Sequence, residues 1–452
     1  MIKLKINEYL NIEVLIYAGT LTLLSVFMII DGPIIYGDSN GYLNMSPKRS
    51  AGYPLFLYLF RIFGDYQLYA VIIVQCIINI AALTIFIHYI CRLINVPKYG
   101  SLFILPVVSY MYFVERYLYN TSSFFYQTAI LTEALSIPIF LIIAIFLIES
   151  VLQKKYRYLI IGMAMNSVLI LIRSQFLFMY PIAFLLIVYI YFHRRDTILL
   201  LKVSAIIFVI AFSHQLFNKT YNYILFGEFT SSLSANLSFV TNALYVSEYS
   251  DINFFYDPEE RELFDLIFTE SYEKNLLKIS YQDSLSAVPG SLRRGGNTRQ
   301  INHYSNSFND LLHRTVNPII ENYYSQYEGI ELRKKINEKV DVLATTLTKR
   351  NWKKVLKNNT LDILVSGFHN YLHVIIFLSL FFLSLYGIYK NSMNGKIITL
   401  FMIIHILNLI IVSIGGRVIP RYYEGYSGFA LFVIITAIII KTILTKTERF
   451  YE

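Results

Sequence analysis

Two carboxylates and a set of arginines carry the chemistry that this sequence could perform. Asp38 lies in Tyr36-Gly37-Asp38-Ser39-Asn40-Gly41-Tyr42, just past an apolar run, and is followed by Arg49 and by Gly52-Tyr53-Pro54. Glu133, in Leu131-Thr132-Glu133, stands at the edge of a second apolar run, Arg173 separates two more, and Arg417 and Arg421-Tyr422-Tyr423 precede the last. A carboxylate can take a proton from a nucleophile, and a guanidinium can hold a phosphate through paired hydrogen bonds. Together such groups suit the transfer of a chemical group away from a phosphate. Each residue also has a plainer reading. Asp38 could be an interfacial turn former beside Gly37, and each arginine could rest on a lipid headgroup. Glu133 at the edge of apolar sequence needs either a function or a partner, and packing against an arginine would supply the partner. Asp31 competes with Asp38, but it ends the first apolar run directly before Gly32-Pro33 and suits a helix-terminating turn.

The elements that must position these groups are membrane spans. The chain has 452 residues, of which 56% are hydrophobic and 15% charged. Soluble domains carry about 25% charged residues. A bilayer core needs about 20 apolar residues in a helix, and about ten windows approach that standard. They are 12–30, 68–91, 100–114, 129–150, 158–172, 175–192, 197–217, 368–388, 397–415 and 426–444. The expected fold class is therefore an all-α membrane protein of about ten transmembrane helices. The first window lacks a small-residue cleavage site after it, so it reads as an uncleaved anchor.

Lysine and arginine fix the expected orientation. Alternate short loops hold Lys3 and Lys5, Arg92 and Lys98, Lys154 with Lys155 and Arg157, Arg194 with Arg195, Lys390 with Lys396, and Lys441 with Lys446 and Arg449. These loops and both termini are expected on the cytoplasmic side. The formal charge of +9 is then explained by orientation rather than by nucleic acid. Arg49, Arg173, Arg417 and Arg421 break the trend by falling on the opposite side, which implies an anionic partner there. The expected organisation is an N-terminal membrane module over 1–217 with a first outer loop at 31–67, an extracytoplasmic cap segment at 218–366, and a C-terminal membrane module over 367–452.

The cap segment reads as largely helical. Asp257-Pro258-Glu259-Glu260 is a helix start with a capping box, and Leu263, Phe264, Ile267 and Phe268 give the following helix one apolar face. A second helix is expected over 331–357, with Val340, Leu343, Leu347 and Val355 on one side. Between them, 289–309 is rich in Gly, Ser and Asn and carries Arg293, Arg294, Arg299 and His303. It reads as a mobile loop that could act as a lid.

A carboxylate after the first helix, then a basic residue, then Gly-Tyr-Pro opening a short apolar helix, resembles the C-type glycosyltransferase superfamily. These multi-spanning enzymes take a sugar from a polyprenyl-phosphate carrier. Thr132-Glu133 opening the fourth helix, Arg173 between the fifth and sixth with Pro181 in the latter, and Arg421-Tyr422 before the last extend the resemblance over the membrane part. It does not extend to 218–366. The resemblance implies that Asp38 is the catalytic base and that Arg49, Tyr53, Glu133, Arg173, Arg417, Arg421 and Tyr422 bind substrate. It implies as partners a polyprenyl-phosphate-linked sugar, a glycan, lipid or protein acceptor, and membrane lipid.

Other features narrow the field. There is no Gly-x-x-x-x-Gly-Lys phosphate loop, so nucleotide hydrolysis is not indicated, and no Asp-x-Asp pair of the kind soluble nucleotide-sugar transferases use to hold metal, which suits a lipid-phosphate donor. No cofactor is expected, and a divalent metal is not indicated. His369 and His373 are one helical turn apart but lack an acid or cysteine at ligand spacing, so they read as interfacial. Cys76 and Cys91 offer no disulfide framework. An O-antigen-type polymerase or ligase, also multi-spanning with a basic outer loop, is the alternative, and it would depend on the arginines and His303 of the 289–309 loop. A transporter or lipid flippase is a further alternative, although paired halves and midplane polar groups are not visible.

Overall fold

The computed structural model describes residues 12–106, 108–109, 127–231, 237–286, 296–368, 371–416, 418 and 424–451, with side chains for these apart from 283–286, 296–299, 371–372, 424–425 and 446–451. The described chain is helical throughout, joined by turns and by a single parallel bridge between Ile34 and Ala129. Helices satisfy their backbone groups internally, which hydrocarbon requires of any spanning segment. Among the described residues, seven are long and apolar enough to cross a membrane: Ile12–Ile30, Gly52–Ile94, Glu133–Gln153, Ser174–Arg194, Thr197–Phe226, Met393–Gly415 and Tyr426–Thr445. Two of the expected windows correspond to shorter apolar helices, Tyr156–Ile172 and His373–Tyr389. At 1.5 Å per residue the 17 residues of Tyr156–Ile172 rise about 26 Å, short of a hydrocarbon core of about 30 Å. Window 100–114 begins as a tight turn, Gly100–Ile104, and then runs into residues outside those described.

The chain divides into two compact units. The first comprises Met1–Tyr221, Ser379–Asn408 and Pro420–Glu452, and the second Asn222–Leu378 and Leu409–Ile419. In the first unit, Ile12–Ile30 buries Tyr17, Leu21, Ser25 and Met28 along one face and exposes Leu15, Leu23, Phe27 and Ile30. That helix carries apolar side chains all round, as a helix between protein and lipid does. The helix Glu133–Gln153 contains Pro138, which cannot donate to the carbonyl of Ala134. Asn79, buried in the helix Gln67–Ile94, donates its amide to that carbonyl at 2.8 Å and so satisfies it.

The second unit has its own apolar core, built from Phe264, Ile267, Tyr304, Leu311, Val340 and Leu343 among others. Asp257 caps the helix Pro258–Glu273 by accepting from the Glu259 amide at 3.0 Å, as expected. The expected reciprocal contact from Glu260 gives way to a different arrangement. Lys339, on the long helix Gly329–Asp362, stands 3.1 Å from Asp257, 2.8 Å from Glu259 and 3.6 Å from Glu260. An ammonium with a 7% exposed side chain draws all three acids of the first turn.

The 289–309 stretch requires a correction. Residues Gly296–Asn309 form a helix rather than a loop, with Ile301, Tyr304 and Phe308 buried on one face. Arg299 lies on this helix, while Arg293 and Arg294 fall outside the described residues. His303 is part of the packing. Its Nε2 donates to the Asn275 carbonyl at 2.8 Å, and its Nδ1 lies 3.1 Å from the Tyr245 hydroxyl, which donates to the Gln300 carbonyl. Its ring stacks on Tyr281 at 4.2 Å. Burial disfavours the charged imidazolium and holds the His303 pKa below its ordinary value, with the Asn275 carbonyl opposing.

Candidate functional site

The segment after the first helix is fixed by backbone pairing. The Ile34 amide donates to the Thr128 carbonyl at 2.8 Å, and the Ile130 amide returns a bond to the Ile34 carbonyl at 3.0 Å. Ser39 adds a bond from its hydroxyl to the Ile130 carbonyl at 2.9 Å. These contacts hold the turn carrying Asp38 against the stretch that leads into Glu133, although the two are far apart in sequence.

Two acid–arginine pairs stand on this frame. Arg49 Nη2 lies 2.6 Å from Asp38 Oδ1, with side chains 29% and 44% exposed respectively. The Arg49 guanidinium lies against Gly41, where a Cβ would meet its Nε at 2.9 Å, and its Cζ sits 4.7 Å from the centre of the Tyr42 ring. The second pair is deeper. Arg173 Nη1 is 2.7 Å from Glu133 Oε1, with side chains 14% and 3% exposed. Arg173 also donates to the Thr132 hydroxyl at 3.2 Å and to Gln175 Oε1 at 2.6 Å. Gln175 in turn donates to Asn408 Oδ1 at 3.1 Å.

Arg173 reaches this position because the helix Tyr156–Ile172 ends there. Its backbone turns extended, at φ −153° and ψ 111°, and its amide closes the last turn on the Leu169 carbonyl. A cation at a helix C-terminus also complements the helix dipole. Gly52 locks the neighbouring segment in place. A Cβ at Gly52 would lie 2.7 Å from the Leu171 carbonyl carbon and 2.8 Å from the Ile172 amide nitrogen. Only glycine allows that approach, which seats Tyr53 beside the end of the Arg173 helix. Tyr53 is fully buried, accepts from Gln75 at 2.8 Å, and packs edge-on to Tyr42 with ring centres 5.2 Å apart.

Tyr42 ties the pairs together. Burial raises its phenol pKa, Arg49 and Arg173 oppose the rise, and Glu133 and Asp38 add to it. All four charged groups therefore lie within Coulombic reach of one ring. The set is electrically balanced, two cations against two anions, so an incoming anion must compete with a carboxylate for each guanidinium.

Of the expected site residues, the structure brings Asp38, Arg49, Tyr53, Glu133 and Arg173 into one neighbourhood of the first unit. Arg417, Arg421 and Tyr422 fall outside the described residues. Tyr426, a few positions on, is buried with its hydroxyl 2.7 Å from that of Ser136, one turn past Glu133. Sequence reasoning missed Tyr42, Thr132, Gln175 and Asn408 as members of the site. Asn408 carried a usable signal, being an amide within an apolar span. His373 is held in local packing, its Nδ1 donating to the Phe368 carbonyl at 2.8 Å, and His369 falls outside the described residues. Among the described residues no group of three or more His, Cys, Asp or Glu could hold a metal ion.

Among the described residues the fold is all-helical, with seven helices long and apolar enough to cross a membrane and a paired-charge centre at helix ends. No family, no curated protein and no solved structure matches the chain.

Proposed function

We infer that this protein is a membrane glycosyltransferase that moves a sugar from a polyprenyl-phosphate carrier to a glycan, lipid or protein acceptor, in cell-surface polysaccharide modification. The observation that carries the reading is the meeting of Asp38, Arg49, Glu133 and Arg173 around Tyr42, from segments that the resemblance had named in order. The basic loops support about ten spans with both termini cytoplasmic and the charged centre on the extracytoplasmic face of the cell membrane. The same loop pattern supports an extracytoplasmic position for residues 218–366.

In this mechanism the acceptor oxygen attacks the anomeric carbon as the carbon–oxygen bond to the carrier phosphate breaks. The acceptor proton passes to Asp38, and the electron pair leaves with the phosphate. Arg49 exchanges Asp38 for the phosphate, which frees the carboxylate as the donor arrives. The more buried Glu133–Arg173 pair holds the floor of the site and stays paired.

The test is sugar transfer by the full chain in proteoliposomes supplied with a panel of polyprenyl-phosphate sugars. Asp38→Asn should abolish transfer while leaving expression and helix content intact, and unchanged transfer would sink the mechanism. Arg294→Ala, run in parallel, separates the polymerase or ligase reading, because that chemistry depends on the cap arginine and not on Asp38.

A further inference from the structure

The long helix Gly329–Asp362 changes character at Asn351. There the backbone departs from helical geometry, at φ −100° and ψ 17°, and the buried Asn351 amide donates to Asp251 Oδ2 at 2.7 Å. Beyond this kink the usual pattern is inverted. The buried side carries Asn358, Asn359 and Asp362, which are 2%, 8% and 0% exposed. The outward side carries Trp352 and Leu356, which are 53% and 58% exposed. Trp352, Leu356, Thr360 and Ile363 recur at spacings of four, four and three, so they share one face. In water this arrangement wastes apolar area and buries amides that would otherwise be hydrated. Asn358 Nδ2 and Asn359 Oδ1 are in fact buried without a hydrogen-bond partner.

The charges on the same segment point to what covers it. Lys353, Lys354 and Lys357 are exposed, no acid lies between Asn351 and Leu361, and the Lys353 ammonium sits 5.5 Å from the centre of the Trp352 ring. Lys354 is matched by Glu248 at 2.6 Å. Lys278 lies near Lys354 and Lys357, and after its own burial their charges further disfavour its protonated form. The chain then continues through Ile363–Gly367 into the apolar helix Tyr371–Tyr389, whose first part, up to Leu378, belongs to the same unit and exposes Ile375, Ile376 and Leu378. The kinked segment is thus followed, eight residues after Ile363, by the start of an apolar helix.

We propose that the segment 352–363 lies on the bilayer surface, with Trp352, Leu356 and Ile363 among the upper acyl chains and Lys353 and Lys357 on the phosphates of anionic phospholipids. Tryptophan favours that depth, lysine stems extend from apolar surroundings to the headgroups, and clustered lysines select anionic lipid. The proposal does not depend on the reaction performed at the charged centre around Tyr42.

Trp352 is the only tryptophan in the chain, so fluorescence of the intact protein reports this face alone. The experiment places the full chain in phosphatidylcholine vesicles containing either acyl-brominated phosphatidylglycerol or acyl-brominated phosphatidylcholine at equal fraction. The anionic lipid should quench Trp352 more than about twofold better than the neutral one. High salt should remove that preference in the wild type, and Lys353→Glu/Lys357→Glu should remove it at low salt. Equal quenching by both lipids overturns the proposal, as does water-exposed emission that neither lipid quenches. A response to soluble polygalacturonate without lipid quenching overturns it in favour of an anionic glycan.

Discussion

Glu133 and Arg173 meet at 2.7 Å with little solvent around them, forty residues apart in sequence, and the pair therefore belongs to the folded framework as much as to any chemistry. Removing only one partner from a buried pair costs about 3–5 kcal/mol. Arg173→Met should lower the thermal midpoint in detergent sharply, and Glu133→Gln added to it should recover most of the loss. If the single variant unfolds no earlier than wild type, the pair is not structural.

Asp38 and Arg49 are the contrasting case. Both side chains are substantially exposed, and a pair of that kind contributes at most about 1 kcal/mol. Asp38→Asn should thus unfold within a degree or two of wild type, as read by the same thermal assay. Lost transfer in this variant would then report chemistry and not folding.

Gly52→Ala tests the close approach to the Arg173 helix. The new methyl would strike the backbone of Leu171 and Ile172, which cannot move aside as a side chain tip can. Overpacking of this sort costs about 1–3 kcal/mol. The expected outcome is lower thermal stability together with altered protease sensitivity after Ile172, and a neutral variant would show that the contact relaxes freely.

Lys339 should anchor the second unit. Hydrogen bonds to charged groups contribute about 1.5–3 kcal/mol, so Lys339→Met should lower the midpoint of that unit measurably. Lys339 holds the Glu259 carboxyl below its ordinary pKa, and Asp257 is lowered by the Glu259 amide and then by Lys339. A depressed carboxyl stabilises the fold above its ordinary pKa and loses that contribution as pH falls through the range below it. The acid limb of the stability curve should therefore be shallower in Lys339→Met than in wild type.

His303 gives a second pH dependence with the same direction. Its folded pKa is depressed, so the unfolded chain takes up a proton that the fold resists as pH drops below about 6.5. Stability present above that pH should decline beneath it, and His303→Gln should remove this portion of the decline in a thermal series from neutral to mildly acidic buffer. A wild-type curve flat across that interval would contradict the buried environment.

The sequence was most informative where one local pattern decided the outcome. Length and apolarity located seven helices that could cross a membrane, the Asp257-Pro258 start was realised, and Leu263, Phe264, Ile267 and Phe268 are all buried. Pairing was illegible. Whether Arg173 meets Glu133 depends on how two helices register, and no local pattern encodes that. The use of Asn79 to satisfy the carbonyl orphaned by Pro138 is of the same kind. The helix Gly296–Asn309 was hidden for another reason. Its Gly, Ser and Asn content outweighed the helical recurrence of Ile301, Tyr304 and Phe308, which did carry the signal.

The Ile34–Ala129 bridge has a practical consequence for dissecting this centre. Its bonds run from main chain to main chain and are indifferent to which side chains sit nearby. Exchanging Asp38 therefore changes charge without rerouting the backbone that presents it, whereas exchanging Glu133 adds the cost of leaving Arg173 buried and unmatched. Proline at Ile34 or Ile130 would do the reverse, deleting a donor from the staple while sparing every ionisable group.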